Sequence, residues 1–336
     1  MVNLQSEFIN FHDAIKLTEE DDTLREKRNI LLNKLKANIS DEAAPYTYFN
    51  QGSYAMHTGI KPDDGDYDID VGLKFDINRE DYTDPLEAKK WVRDALEGHT
   101  KSVKIRRSCV TVTYQKDDEP IYHVDFAVYA ANNDDGKLYI AKGKEFSTEE
   151  NRYWEESDPQ ELLNHINSLY DDADDRSQFR RCIRYAKKWK NQKFDLSGNA
   201  APTGIALTAL ACSYFKPTYI REWTTQKKAF DDFNAFHSFM KSIKKSFILT
   251  WDSENGRYYH KISCHLPVAP YNDLFAKMTS KQMNEFYEEV ESLLGDMDRV
   301  TKQTKRSEAC KILVSIFGND FPVTVDRSYV GTSESA

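Results

Sequence analysis

The spacing of apolar residues along this chain changes character twice. Residues 8–17 (FINFHDAIKL) and 23–39 (TLREKRNILLNKLKANI) place them at helical intervals, with Thr18 or Asp22 as caps and Pro45 closing the segment. From Tyr46 the pattern becomes alternation, in YTYFN, DYDIDVGLKFD, VKIRRSCVTVTYQ and PIYHVDFAVYA, which predicts strands. One helix interrupts them, DPLEAKKWVRDALEGH, begun by Asp84 and Pro85 and closed by Gly98. Beyond about residue 155 the helical period returns, and residues 157–172, 176–192, 201–215, 226–245, 280–300 and 307–318 all predict helices. Stretches 191–202, 216–224 and 248–273 connect them, the last long enough for a short extended element. The expected organisation is a mixed α/β unit over 1–155, a helical domain over 156–325 and a flexible polar tail over 326–336.

Composition narrows the class. With 40% hydrophobic and 30% charged residues, the chain is too apolar for disorder and too charged for a membrane protein, and no apolar run has the length of a span. The N-terminal MVNLQSEFINFHD lacks the basic-then-apolar order of a signal peptide, so a cytoplasmic protein is expected. The five cysteines stand singly, which indicates neither a disulfide framework nor a zinc site. A net charge of -9 argues against a protein that coats nucleic acid, because phosphate binding wants a positive field.

The unusual feature is DGDYDID, with aspartate at every second position of a predicted strand. Residues two apart share a face, so Asp66, Asp68 and Asp70 repel one another while Tyr67, Ile69 and Val71 pack on the other side. A divalent cation would reverse that repulsion, and hard oxygen ligands suit magnesium. Asp125 interrupts the otherwise apolar strand IYHVDFAVYA and supplies a third ligand; His123, two residues earlier, shares its face. Two carboxylates on one strand and one on another are the minimum for a two-metal phosphoryl or nucleotidyl transfer site, in which Asp125 also takes the proton of the attacking hydroxyl. The simpler reading of the aspartates is an acidic loop running into an edge strand. Upstream, Gln51-Gly52-Ser53 follows a strand and precedes a short helix, where a glycine lets backbone approach a phosphate and a serine hydroxyl meets its oxygens. Arg106 and Arg107 precede a strand and at most one of them points inward, toward a second nucleotide.

Strand, Gly-Ser, short helix, Asp-x-Asp on a strand and a later isolated Asp is the order that resembles the nucleotidyltransferase superfamily related to DNA polymerase beta. Within it, QGSYAMHT, DIDVG, HVDFAVYA, NRYWEESDPQEL and FRRCIRYAKKWKNQKFDLSGNAAPTGIAL resemble segments of the cGAS/DncV-like nucleotidyltransferases of bacterial antiphage systems (CD-NTases), closest to the DncV-like dinucleotide cyclases. The resemblance covers roughly residues 20 to 215. It implies an α+β polymerase-beta-like fold with a C-terminal helical bundle domain, bilobed, with the active site in the cleft. It also implies Asp68, Asp70 and Asp125 as catalytic residues holding two Mg2+ ions, with Mn2+ as a substitute, and Gln51, Gly52, Ser53, Lys187 or Lys188, and Thr203 as nucleotide contacts. Asp66 with Asp68 is the alternative pair; Asp68 and Asp70 match better because an apolar residue flanks them on each side. Met56 and His57 depart from the aromatic that such cyclases tend to place before the threonine of this helix.

The implied activity joins ATP and GTP into a cyclic di- or trinucleotide, best matched to cyclic GMP-AMP, that a separate effector senses in antiphage (CBASS) defence. No nucleic acid is required and no membrane is involved. The terminal TSESA suits conjugation by a ubiquitin-transfer-like partner, as an ordinary frayed end also would look. A linear oligonucleotide or RNA nucleotidyltransferase, or a catalytically inactive nucleotide-binding regulator, are the rival readings; the chain's acidity opposes the first and its three aspartates the second.

Overall fold

Alternating burial along two strands organises the α/β part of this computed structural model, which describes residues 2–17, 19–62, 67–116, 119–196, 198, 200–221 and 228–324. Asp66 and the tail from 326 therefore lie outside the described residues. The chain divides into two compact units. One takes Met1–Ile15, Asp171–His265 and Asp273–Ala336; the other takes Lys16–Tyr170 and Leu266–Asn272. The first helix, α1 (Gln5–Ile15), thus belongs with the helical part rather than with the α/β part expected over 1–155, and the main division falls near 170. Its apolar stripe is the reason: Phe8 and Phe11, both fully buried, pack on Tyr185, Phe317 and Phe321 of that unit.

The α/β unit follows as α2 (Glu19–Asn38), β1 (Tyr46–Gln51), a one-turn α3 (Gly52–Ala55), β2 (Tyr67–Phe75), α4 (Leu86–Leu96), β3 (Ser102–Ile105), β4 (Val110–Lys116), β5 (Glu119–Ala130), β6 (Tyr139–Lys142), β7 (Tyr153–Glu156) and α5 (Pro159–Ser168). The sheet runs β1-β2-β5-β4-β3, with β6 on β5 and β7 on β6. Among the described residues only β2 and β5 of this sheet pair in parallel; its other ladders are antiparallel. On one face Ile69, Val71, Leu73 and Phe75 of β2 and Val124, Phe126 and Val128 of β5 have no exposed surface and form one cluster with Leu31 and Leu35 of α2 and Val92 and Leu96 of α4. At about 1.5–3 kcal/mol for each such side chain, this layer is what keeps the acid-bearing strand in the sheet.

Residues 103–115, read as one alternating stretch, are two strands of a hairpin. The turn Arg106–Cys109 reverses the chain, with the Arg106 N–H donating to the Cys109 carbonyl at 2.9 Å. Asp22, offered as a cap, sits inside α2, and Thr18 lies outside the described residues.

The helical unit continues with α6 (Ala173–Lys193), α7 (Gly204–Tyr214), a hairpin of β8 (Tyr219–Arg221) and β9 (Lys228–Phe230), α8 (Asp232–Ser246), a second hairpin of β10 (Ile248–Asp252) and β11 (Arg257–Lys261), α9 (Ser280–Thr301) and α10 (Arg306–Phe317). Strand β8 falls in a stretch read as a connection and the β10–β11 hairpin in the one expected to hold a short extended element, whereas β9 falls within 226–245, read as helix: three to five residues per strand are too few to show alternation against a helical background. Asp158, Asp172, Thr203, Asp231 and Thr279 cap the helices they precede with side-chain oxygens, and Thr279 with Gln282 forms a full capping box.

A buried charge fastens α1, α6 and α8. The Asp232 carboxylate accepts from Arg181 at 2.6 and 2.9 Å, from Gln178 at 3.0 Å and from the Tyr185 hydroxyl at 2.9 Å, while its own N–H donates to Gln5. Burial disfavours the charged carboxylate, yet the Arg181 pair and these donors hold its pKa below the ordinary value. A depressed native pKa contributes stability above the unfolded-state value, lost as the pH falls through the native one. Asp232→Asn should therefore cost about 3–5 kcal/mol in chemical denaturation at neutral pH. The gap between variant and wild type should narrow below about pH 4, where the unfolded carboxylate protonates; an equal gap at both pH values would rule the ion pair out as its source.

Candidate active site

The opposite face of β2 and β5 carries the polar chemistry. The parallel register sets Asp70 beside Asp125 and Asp68 beside His123. One carboxylate oxygen each from Asp68, Asp70 and Asp125 lies within 4.8 Å of the other two. Asp68 is exposed and the others half-buried, and Asp125 Oδ1 is buried with no hydrogen-bond partner. An orphaned buried carboxylate oxygen beside two further carboxylates fits a hard divalent cation: the donor set is all oxygen, and a positive ion satisfies the oxygen that the protein leaves unmet. Asp68, Asp70 and Asp125 would hold magnesium, which supplies charge neutralisation and activation of a hydroxyl.

Gln51 ends β1 directly opposite Asp70, and the chain turns into α3 at once. Gly52 makes this possible. Its φ is +67°, and a Cβ there would stand 1.8 Å from Asp70 Oδ2. The Gly-Ser backbone is thereby laid against the Asp70 carboxylate. Ser53 lies in the same turn, and its carbonyl accepts from the N–H of fully buried Thr58 at 3.0 Å. The Gln51 side chain has a different role: its Oε1 accepts from the hydroxyl of buried Tyr129 at 2.8 Å, tying β1 to β5 behind the turn. Farther along the acid-bearing face, Gly72 leaves room for the Phe49 ring, where a Cβ would meet ring carbons at 2.2 Å. Phe49 also packs on Tyr129.

Beside the acids a cavity of about 370 Å3 is lined by Asp68, Arg106, Cys109, Thr111, His123 and Asp125. Of the paired arginines, Arg106 lines it, whereas the Arg107 guanidinium donates to the Tyr153 hydroxyl at 2.9 Å. Cys109 is no nucleophile, since burial first and the charge of Asp125 second push its thiol up to about 12. His123 shares a 3.2 Å hydrogen bond with the Thr113 hydroxyl, which orients its ring. Sequence reading missed Cys109 and Thr111; only the β4–β5 register, Thr111 opposite Asp125, shows them.

Lys187, Lys188 and Thr203 belong to the helical unit. Thr203 caps α7, its Oγ1 accepting from the Ala206 N–H at 3.2 Å, and Lys187 Cε is 3.4 Å from where a Gly204 Cβ would stand. Lys188 instead pairs with Asp320 at 2.6 Å. The two lysines therefore diverge, and Lys187 is the one that meets the start of α7. In the α/β unit, the SDP and W of NRYWEESDPQEL serve structure: Asp158 caps α5, and the Trp154 indole donates to the Tyr82 carbonyl at 2.7 Å.

This sheet has a polymerase-beta-like arrangement, and its acid cluster lies where nucleotidyltransferases of that fold carry theirs. Residues 46–129 match the family model described as cyclic GMP-AMP synthase DncV-like, nucleotidyltransferase domain. A cyclic GMP-AMP synthase from Escherichia albertii is 30% identical over 210 residues, a stretch covering 58% of this chain and 43% of that relative, so the match spans less than half the relative's length. Among solved structures, the Bradyrhizobium diazoefficiens CD-NTase CdnG in complex with GTP superposes with a TM-score of 0.67 at 11% identity, covering 93% of this chain and 95% of that one. The Vibrio cholerae DncV cyclic AMP-GMP synthase gives 0.66 at 16% identity, over 95% and 97%. Over residues 46–129 the chain is thus similar to a DncV-like nucleotidyltransferase domain, and its fold is that of the CD-NTase structures.

The acid cluster carries a measurable load. In metal-free buffer Asp70→Asn should melt above wild type, because it relieves like-charge repulsion. Saturating Mg2+ should raise the wild-type melting temperature, by about 2.7 kcal/mol of linkage at a hundredfold excess over Kd, and leave the variant nearly unmoved. Equal Mg2+ shifts in both proteins would show that the ion binds elsewhere.

Proposed function

We propose that the protein condenses ATP and GTP into a cyclic di- or trinucleotide, cyclic GMP-AMP foremost, with release of pyrophosphate. The observation that carries this reading is the trio Asp68, Asp70 and Asp125, together with the orphaned buried Oδ1 of Asp125. Bound magnesium supplies Lewis acidity at the α-phosphate and counter-charge for the leaving pyrophosphate. The turn at Gly52 and Ser53, laid against Asp70, brings backbone and hydroxyl to the phosphates of the donor nucleotide. Asp125 accepts the proton of the attacking ribose hydroxyl, and Arg106 faces the acceptor nucleotide from the cavity wall. Lys187 and Thr203, brought together at the start of α7 in the helical unit, offer an ammonium and a hydroxyl for phosphate oxygens. A second round of the same chemistry closes the ring.

Structures of related proteins support the choice of substrates: CdnG was solved with GTP, DncV with a linear intermediate, pppA(3',5')pG, and Escherichia coli CdnC with ATP. CdnC was also solved with a HORMA protein, which supports a protein partner here. The resemblance to bacterial antiphage nucleotidyltransferases supports a role in antiphage defence, with an effector that senses the product. No described helix is long and apolar enough to cross a membrane.

Incubation with Mg2+ and labelled ATP and GTP should yield a phosphatase-resistant product. Asp68→Asn and Asp70→Asn should each lower its rate by at least about a thousandfold, the scale on which removing a charge-stabilising group acts, while the circular dichroism spectrum stays unchanged. A well-folded wild type that makes no product from any nucleotide mixture would sink the reading.

A further inference from the structure

One fully buried cation takes no part in the chemistry described so far. Lys89 of α4 has no exposed surface, and its Nζ donates to three backbone carbonyls: Arg106 at 2.9 Å, Arg107 at 2.8 Å and Gly143 at 2.9 Å. Three acceptors take all three ammonium protons, which satisfies the group without any carboxylate. Two of those carbonyls belong to the Arg106–Cys109 turn, and the third to the residue after β6. The same turn is tied again on its outer side, where Gly143 N–H donates to the Arg107 carbonyl at 2.9 Å and Lys142 Nζ to the Ser108 hydroxyl at 3.1 Å. Lys89 is thus the interior pin of a short turn that would otherwise have a single internal backbone bond.

What the turn presents is the cavity wall. Arg106 and Cys109, its first and last residues, both line the 370 Å3 cavity with Asp68 and Asp125. The Arg106 side chain is exposed and makes no ion pair or hydrogen bond among the described residues, so nothing on the side chain itself sets its direction. Its aim comes from its backbone, and the backbone is held by Lys89. We propose that Lys89 is a positioning residue that fixes the Arg106 turn against the acid cluster, so that the Arg106 guanidinium meets the phosphate or base of the second, acceptor nucleotide. This rests on the nucleotidyl-transfer reading above and assigns to Arg106 the acceptor half of the site.

Lys89→Met keeps length and apolar volume but removes the Lys89 donor from the Arg106 and Gly143 carbonyls and leaves the Arg107 carbonyl with the Gly143 N–H alone, and Lys89→Gln, which can still donate to two of the three, guards against outright failure to fold. Amide hydrogen exchange and steady-state kinetics with ATP, GTP and Mg2+ are then read on wild type, both variants, Arg106→Gln and the double variant. Exchange should accelerate at Arg106 and Gly143 in the Lys89 variants while β2 and β5 stay protected. KM for one nucleotide should rise about tenfold, the loss of one charge-assisted contact, with KM for the other and kcat changed far less. Lys89→Gln should fall between Met and wild type, and the double variant should be no worse than Arg106→Gln alone, because both changes remove the same contact. Unaltered exchange at the turn, equal rises in both KM values, or additive losses in the double variant would each overturn the proposal. A wild type that forms no product while the exchange pattern appears as expected would instead defeat the nucleotidyl-transfer reading and leave Lys89 only as a structural pin.

Discussion

Like-charge repulsion is the constraint that the α/β unit is built to withstand. Three carboxylates held within 4.8 Å of one another oppose the folding of the strands that bear them. The sheet bears the load because the opposite faces of the same strands are wholly buried: each aspartate on β2 alternates with an apolar residue sealed beneath α2 or α4. Core and site are therefore two sides of one ladder, and the strands cannot turn the acids to solvent without surrendering Ile69, Val71, Val124 and Phe126 to water.

The parallel pairing of β2 with β5 converts a sequence pattern into a site. Its register sets Asp125 beside Asp70 on the face that also carries Asp68, so the residue with the orphaned Oδ1 has two acids next to it. The placement of β1 on the other side of β2 adds the Gly-Ser turn at the same level. The Gly-Ser turn and the acid cluster thus meet at Asp70, against whose carboxylate Gly52 packs.

Much of this was legible in the chain because it rests on short-range rules. Alternation exposed β1, β2 and β5, and the period of two put Asp68 and Asp70 on one face. The long helices α6, α8 and α9 declared themselves by their stripes. What escaped depends on pairing between distant segments. Nothing in RRSC announces that it is a turn pinned from below, since Lys89 lies 17 residues earlier in what reads as an ordinary amphipathic helix. The choice between Lys187 and Lys188 was equally hidden, because it is made by Gly204 on one side and Asp320 on the other. The allegiance of α1 was hidden as well: its two phenylalanines find their aromatic partners at positions 185, 317 and 321.

The contact of Phe49 with Gly72 has a mechanical meaning. An aromatic ring seated where a neighbouring strand lacks a side chain works as a detent: to slide along β2, strand β1 would have to lift the ring out of its notch and over Asp70 or Lys74, which flank the gap on the same face. Two residues beyond Phe49 the chain ends its strand at Gln51 and turns toward Asp70. The notch therefore indexes the whole Gly-Ser turn along the strand, setting by shape alone how far it reaches over the acids before any ion or nucleotide arrives.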